Sequence, residues 1–180
     1  MDYTWSSDAK TVALRSSAAR RGLGNRGCEV ERARIGLELV LADQAASMSW
    51  FGQSPHQSCP DAGQGTRSGW SSLPLAEMDV EYVRPQEPGA RSGVRSAAGQ
   101  LGERTFEIHG EPFALPVRAY SQEILDVANH HPDLKPDGKT YLYLDHVLRG
   151  VGTAACGPGV LEQYRPKPRE ADFTLVLTVR

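Results

Sequence analysis

IGLELVL, residues 35–41, decides the fold class. Ile35, Leu37, Leu39 and Leu41 recur at every second position with Gly36 and Glu38 between them, which is the period of a strand with one buried and one wet face. A second such run closes the chain. There Phe173, Leu175, Leu177 and Val179 alternate with Asp172, Thr174, Thr178 and Arg180, and only Val176 breaks the pattern. Weaker alternation marks residues 11–14, 47–51, 78–84, 106–109, 113–118 and 141–147, so eight or so strands are expected. Segments rich in Gly, Pro, Ser or Asp separate them at 22–27, 55–69, 85–89, 132–138 and 150–159, as turns between antiparallel strands require. The pattern predicts an all-β antiparallel sandwich. One helix interrupts it, over residues 121–130, with Ser121 as its cap and Ile124, Leu125 and Ala128 on one face.

At 180 residues and 39% apolar composition, the chain is expected to form a single domain, 1–180, with one core. The arginine-rich stretch 20–34 is expected to be a mobile connection or a solvated loop within it. Twenty Lys and Arg against 22 Asp and Glu leave a formal charge of −2, so there is no excess positive charge to track nucleic acid or an anionic membrane. The longest apolar runs fall far short of the roughly 20 residues that span a bilayer. The opening MDYTWSSDAK has no apolar segment behind a basic one, which argues against a secretory signal and for the cytoplasm. Cys28, Cys59 and Cys156 are odd in number and widely spaced, which suits reduced thiols rather than a disulfide framework.

Chemistry is sparse. Cleaving a glycosidic bond usually needs two carboxyl groups facing one pocket, whereas the acids here, among them Glu77, Asp79, Glu81, Glu103, Glu107 and Glu111, are scattered over strand ends and solvent-facing positions. No nucleophile elbow, zinc-protease helix or phosphate-cradling glycine motif occurs. His130 and His131 are neighbours, and adjacent side chains on a helix diverge too far to chelate one ion readily. His146 follows the alternating run 141–145 and precedes a glycine-rich stretch; it suits either a site or a structural hydrogen bond. That stretch, GVGTAACGPG at 150–159, can reach toward a partner surface or simply reverse the chain tightly.

Three blocks in order carry a family resemblance: WFGQSPHQSCPD (50–61), MDVEYVRPQEPGARSGVR (78–95) and LDHVLRGVGTAACGPGVLEQY (144–164). With YSQEILDVANHHPDL (120–134) and the opening DYTWSSDAKTVAL (2–14), they resemble the carboxy-terminal domain of glycoside hydrolase family 2 β-galactosidases, over almost the whole chain. The resemblance implies part of a large β-sandwich, a partial supersandwich of the galactose mutarotase-like kind. It also implies a TIM barrel beside it that holds both catalytic glutamates and a magnesium site, so no catalytic residue, metal or cofactor is expected in this chain. In the family a loop matching 150–159 extends to the galactose pocket, which makes Cys156 the residue carried over; with Gly157 beside it and His146 placed just before the loop, these are the expected substrate-binding residues. A polarizable thiol can contact an apolar sugar face without demanding a hydrogen bond; buried packing of Cys156 is the competing reading. Gln53, Cys59, Ala62 and Pro88 stand where the family pattern usually has Arg, Tyr, Arg and Asn. The implied partners are a β-galactoside such as lactose and a barrel-bearing chain or domain. The alternative is a non-catalytic carbohydrate-binding or structural module, or an inactive truncated fragment.

Overall fold

The computed structural model describes residues 2–7, 11–18, 34–85, 87–152, 157, 159–166 and 171–180. Its strands are β1 (Asp2–Ser7), β2 (Thr11–Ala18), β3 (Arg34–Leu41), β4 (Ser47–Ser54), β5 (Arg67–Pro74), β6 (Val94–Leu101), β7 (Arg104–Phe113), β8 (Val117–Arg118), β9 (Thr140–Leu148) and β10 (Ala171–Val179), with one α-helix, α1 (Gln122–Val127). They form a seven-stranded sheet ordered β1-β2-β10-β7-β6-β4-β5 and a three-stranded sheet ordered β3-β9-β8. Every strand pairing is antiparallel. The all-β sandwich with one short helix is therefore the fold, with ten strands among the described residues.

The alternation of the sequence builds the layer between the sheets. Met48 and Trp50 of β4, Phe106 and Ile108 of β7, and Phe173 and Leu175 of β10 point inward from the large sheet. Leu142 and Leu144 of β9 and Val117 of β8 meet them from the small one, with Leu37, Leu39 and Leu41 of β3 packed at the margin. Each such side chain taken fully out of water contributes about 1.5–3 kcal/mol. Val40 and Glu38 of β3 face outward and are exposed, as the period of two demands. β9 differs from the other strands because it is buried on both faces from Thr140 to Asp145, as a central strand covered on each side must be. Its pairing with β3 brings Gly36 against the backbone: a Cβ there would stand 2.4 Å from the Leu144 carbonyl oxygen.

Three expectations need correction. Residues 78–84 are not a strand: a 3-10 turn, Leu75–Glu77, is followed by irregular backbone. The Met78 amide donates to the Leu75 carbonyl and Met78 is fully buried, so this segment plugs the sandwich without pairing along it. Residues 113–118 are not one strand either. β7 ends at Phe113, Ala114 makes an isolated bridge to Asp145, and β8 begins at Val117; the chain crosses here between sheets, with Pro116 offering no amide to the ladder. Residues 67–69 belong to β5 and not to a turn. Strands β5 and β6 also go beyond the sequence reading. The helix is shorter than 121–130, but the Ser121 hydroxyl accepts from the Ile124 amide as its cap. Leu125 and Ala128 are buried with Tyr120 and Leu134, and Ile124 packs partly buried against them. Of the arginine-rich stretch 20–34, all but Arg34 lies outside the described residues. No described helix is long and apolar enough to cross a membrane.

Candidate functional site

The glycine-rich stretch begins where β9 leaves the small sheet, and one carboxylate holds its base. Asp61 Oδ1 accepts from the Val151 amide at 3.2 Å and Oδ2 from the Gly152 amide at 2.7 Å. A carboxylate gripping two successive amides fixes both the direction and the roll of the backbone leaving the strand. The approach leaves no space for a side chain at Gly150, where a Cβ would meet Asp61 Cγ at 2.5 Å. Gly152 takes a positive φ of 64°, which bends the chain in a conformation that glycine adopts without strain. On the return limb, the Tyr164 carbonyl accepts from the Gly150 amide at 3.2 Å and Val160 is buried. Both ends of the loop are thus anchored to the sandwich.

Asp61 is itself held by a compact knot. The Ser58 amide donates to the Ala90 carbonyl at 2.9 Å and the Ser92 amide to Ser58 Oγ at 2.8 Å. Gln57 accepts from the Gly89 amide at 2.7 Å and donates to the Tyr82 hydroxyl at 2.7 Å. Cys59 lies beneath with Ala90, Ala114 and Leu148, and Val151 packs against the group. Burial, then the Asp61 charge, pushes the Cys59 thiol up to about 11, so it is an inert packing element at neutral pH. Arg91 crosses behind, donating to the Gly89 carbonyl and lying 5.3 Å from the centre of the Trp50 ring. The described residues of the segments 50–61, 78–95 and 144–164 therefore converge in space.

A charged cluster flanks this knot. Glu87 bonds both Arg34 and Arg118, the latter at 2.5 Å, and the two guanidinium groups lie 4.5 and 4.9 Å from the centre of the Tyr143 ring. Arg34 also reaches Asp145 Oδ2 at 3.5 Å. Asp145 is almost fully buried, and burial pushes its carboxyl up to about 7, against the opposing pull of Arg34. Its backbone exchanges hydrogen bonds with Ala114 at 2.7 and 2.9 Å. Glu87 is committed to two guanidinium groups, whereas Asp145 Oδ2 faces Arg34 without a hydrogen bond, and together they brace β9 against the 87–91 turn.

The expected site residues fall in different environments. Cys156 lies outside the described residues. Gly157 is exposed. His146 is the extra residue of a β-bulge, since Gly36 pairs with Asp145 and Ile35 with Val147. Bulges re-aim side chains, and this one stacks the imidazole on Phe173, with ring centres 4.9 Å apart and planes inclined by 17°. Its Nδ1 is buried and makes no hydrogen bond. His130 and His131 part ways: the His130 amide donates to Asp133, while His131 turns toward Asp79. Among the described residues no group of three or more His, Cys, Asp or Glu side chains is placed to hold a metal ion. Sequence reasoning missed Asp61, Gln57, Glu87 and Arg91, although all four lie inside the quoted blocks.

The match to known proteins runs along nearly the whole chain. A family model described as the β-galactosidase small chain matches residues 1–177. A β-galactosidase of Arthrobacter sp. (strain B7) is 36% identical over 155 residues, covering 82% of this chain and 15% of that protein. One from Kluyveromyces lactis is 36% identical over 148 residues, covering 78% and 14%, and one from Psychromonas ingrahamii is 32% identical over 145 residues, covering 80% and 14%. The chain thus spans about one seventh of the length of the curated relatives it matches. Folded as a sandwich whose matching segments converge at the base of one loop, the chain belongs to the β-galactosidase small-chain family.

Proposed function

We propose that this chain shapes the sugar subsite of a β-galactosidase that releases terminal non-reducing β-D-galactose from β-galactosides such as lactose, in the cytoplasm. The reactive carboxylates come from a barrel-bearing chain or domain, one as acid/base and one as nucleophile, as retaining glycosidases employ them. The observation that carries this reading is the Asp61 clamp. The grip fixes the backbone at Val151 and Gly152 and Gly157 is exposed, which supports a loop that leaves the sandwich for an outside surface. Cys156 and Gly157 are the residues we assign to the sugar, and His146 to the β9 bulge that supports them.

The test is substitution within an enzyme reconstituted from this chain and a barrel-bearing chain. Cys156→Ala removes a thiol contact worth about 1 kcal/mol and raises KM for a chromogenic β-galactoside about fivefold. An unchanged KM in Cys156→Ala and in the bulkier Cys156→Phe contradicts the assignment.

A second reading has one observation in its favour. Trp70 of β5 is 67% exposed with its ring 5.6 Å from Phe51, an aromatic surface of the kind on which sugars stack. On that reading the chain is a carbohydrate-binding module, and Trp70→Ala abolishes its retention on a galactan column while leaving the hydrolysis rate of the reconstituted enzyme unchanged.

A further inference from the structure

One arginine nitrogen faces two carboxylates beside the root of the glycine loop. Arg34 Nη2 bonds Glu87 Oε2 and stands 3.5 Å from Asp145 Oδ2, an oxygen that is buried and accepts no hydrogen bond. Backbone geometry fixes this approach. Arg34 opens β3 opposite Leu148 of β9, and Asp145 Oδ1 lies over Gly36, where a Cβ would meet it at 2.5 Å. The charged groups facing Asp145 are Arg34 from β3, Glu87 from the 87–91 turn and Arg118 from β8. Tyr143, on its own strand, contacts both guanidinium groups and donates to Glu38 of β3.

A neutral Asp145 leaves both guanidinium groups to Glu87, which is the arrangement present. An ionised Asp145 is costly to leave unpaired away from water, and the guanidinium at 3.5 Å is positioned to close on it. Burial raises this carboxyl to about 7 against the pull of Arg34, with Glu87 raising it further and Arg118 lowering it, so the change falls near neutrality. Glu87 then keeps only Arg118, and the loss reaches the loop through a short path. The Gly89 amide donates to Gln57 at 2.7 Å and the Ala90 carbonyl accepts from the Ser58 amide at 2.9 Å. Asp61, which follows in the same segment, grips Val151 and Gly152. We propose that Asp145 and Glu87 form a proton-controlled switch for Arg34, which tightens the root of the glycine loop when Asp145 is neutral and loosens it when Asp145 ionises. The element with two positions is the Arg34 side chain, and one proton biases it. The effect on the sugar rests on the loop reading proposed above; the transfer of Arg34 does not.

Hydrogen exchange of the intact chain, followed by mass spectrometry over peptides covering 87–91 and 150–152 at pH 6 and pH 8, tests the switch. Asp145→Asn imitates the neutral carboxyl. At pH 8 these peptides exchange about threefold faster or more in the wild type than in Asp145→Asn, and at pH 6 equally, since exchange reports local opening. Arg34→Gln, at a part-exposed position, imitates the loosened state: it exceeds the wild type by about the same factor at pH 6 and matches it at pH 8. Peptides from β5, at the far edge of the large sheet, exchange alike in all three proteins. Equal exchange of wild type and Asp145→Asn at pH 8, wild-type exchange of Arg34→Gln at pH 6, or equal acceleration in β5 overturns the proposal. In the reconstituted enzyme, the KM of wild type divided by that of Asp145→Asn rises by a similar factor between pH 6 and pH 8. A constant ratio beside the exchange difference contradicts the sugar reading of the loop and leaves the switch standing.

Discussion

Asp61 shows how much of the site rests on single atoms. Its two oxygens satisfy consecutive amides at the root of the loop, and hydrogen bonds to a charged group contribute about 1.5–3 kcal/mol each. Asp61→Ala is therefore expected to lower kcat/KM of the reconstituted enzyme by about tenfold or more, mostly through KM, and to lower the melting temperature of the chain by roughly 6 degrees or more, at about 2–4 degrees per kcal/mol. A large loss of stability with unchanged KM would make Asp61 a core brace instead of a loop clamp. Cys59 offers a second check at this scale. With its thiol buried and pushed up to about 11, it should resist alkylation at pH 8 in the native chain and react promptly in urea; rapid native labelling, located by mass spectrometry, would contradict the packing. The sequence announced neither role. Asp61 is one acid among 22, and only the fold reveals that the residues beside it in space are 90 positions further along. Cys59 carries no mark separating a buried thiol from a reactive one. The sequence places His146 after a strand, whereas it lies inside β9, and the bulge that turns its ring onto Phe173 depends on the register with β3, which a single strand does not encode.

Strands were legible in proportion to the apolar side chains they bury. β3 and β10 carry regular alternation and stand where the periodicity puts them. β5 (RSGWSSLP) and β6 (VRSAAGQL) are built largely of Ser, Gly and Ala, and they are held in place by ladders to β4 and β7. Backbone pairing of that kind leaves little trace in hydropathy. The opposite error arose at 78–84, where apolar residues plug one end of the sandwich without a neighbouring strand to bond. Close approach between elements gives the sharpest prediction here. Gly36→Ala would drive a Cβ into the backbone of β9, and overpacking of this kind costs about 1–3 kcal/mol, which equilibrium urea unfolding would register as a lower midpoint at unchanged slope. Wild-type stability in Gly36→Ala would refute the β3-β9 register.

For the molecule as a whole, the charge buried at the β9 brace predicts how stability depends on pH. Burial raises the Asp145 carboxyl from 3.8 to about 7 in the fold, so between those values the folded chain holds a proton that the unfolded chain has released. Stability contributed by this group is then largest near pH 4 and declines as pH rises to about 7, by an amount on the order of a few kcal/mol. Denaturation midpoints across that range should show the decline, and Asp145→Asn should remove it; the same slope in the variant would assign it to other groups. The resemblance visible in the sequence spanned nearly the whole chain, and the family model matches residues 1–177. Packing explains why the segments that carry it are separated in sequence: 50–61, 78–95 and 144–164 meet around Asp61 and the 87–91 turn. The most direct test of this account is hydrolysis of a chromogenic β-galactoside by this chain, by a barrel-bearing β-galactosidase chain lacking the corresponding domain, and by the two mixed. The account predicts turnover only in the mixture. Turnover by the 180-residue chain alone, or none in a mixture whose components associate, would contradict it.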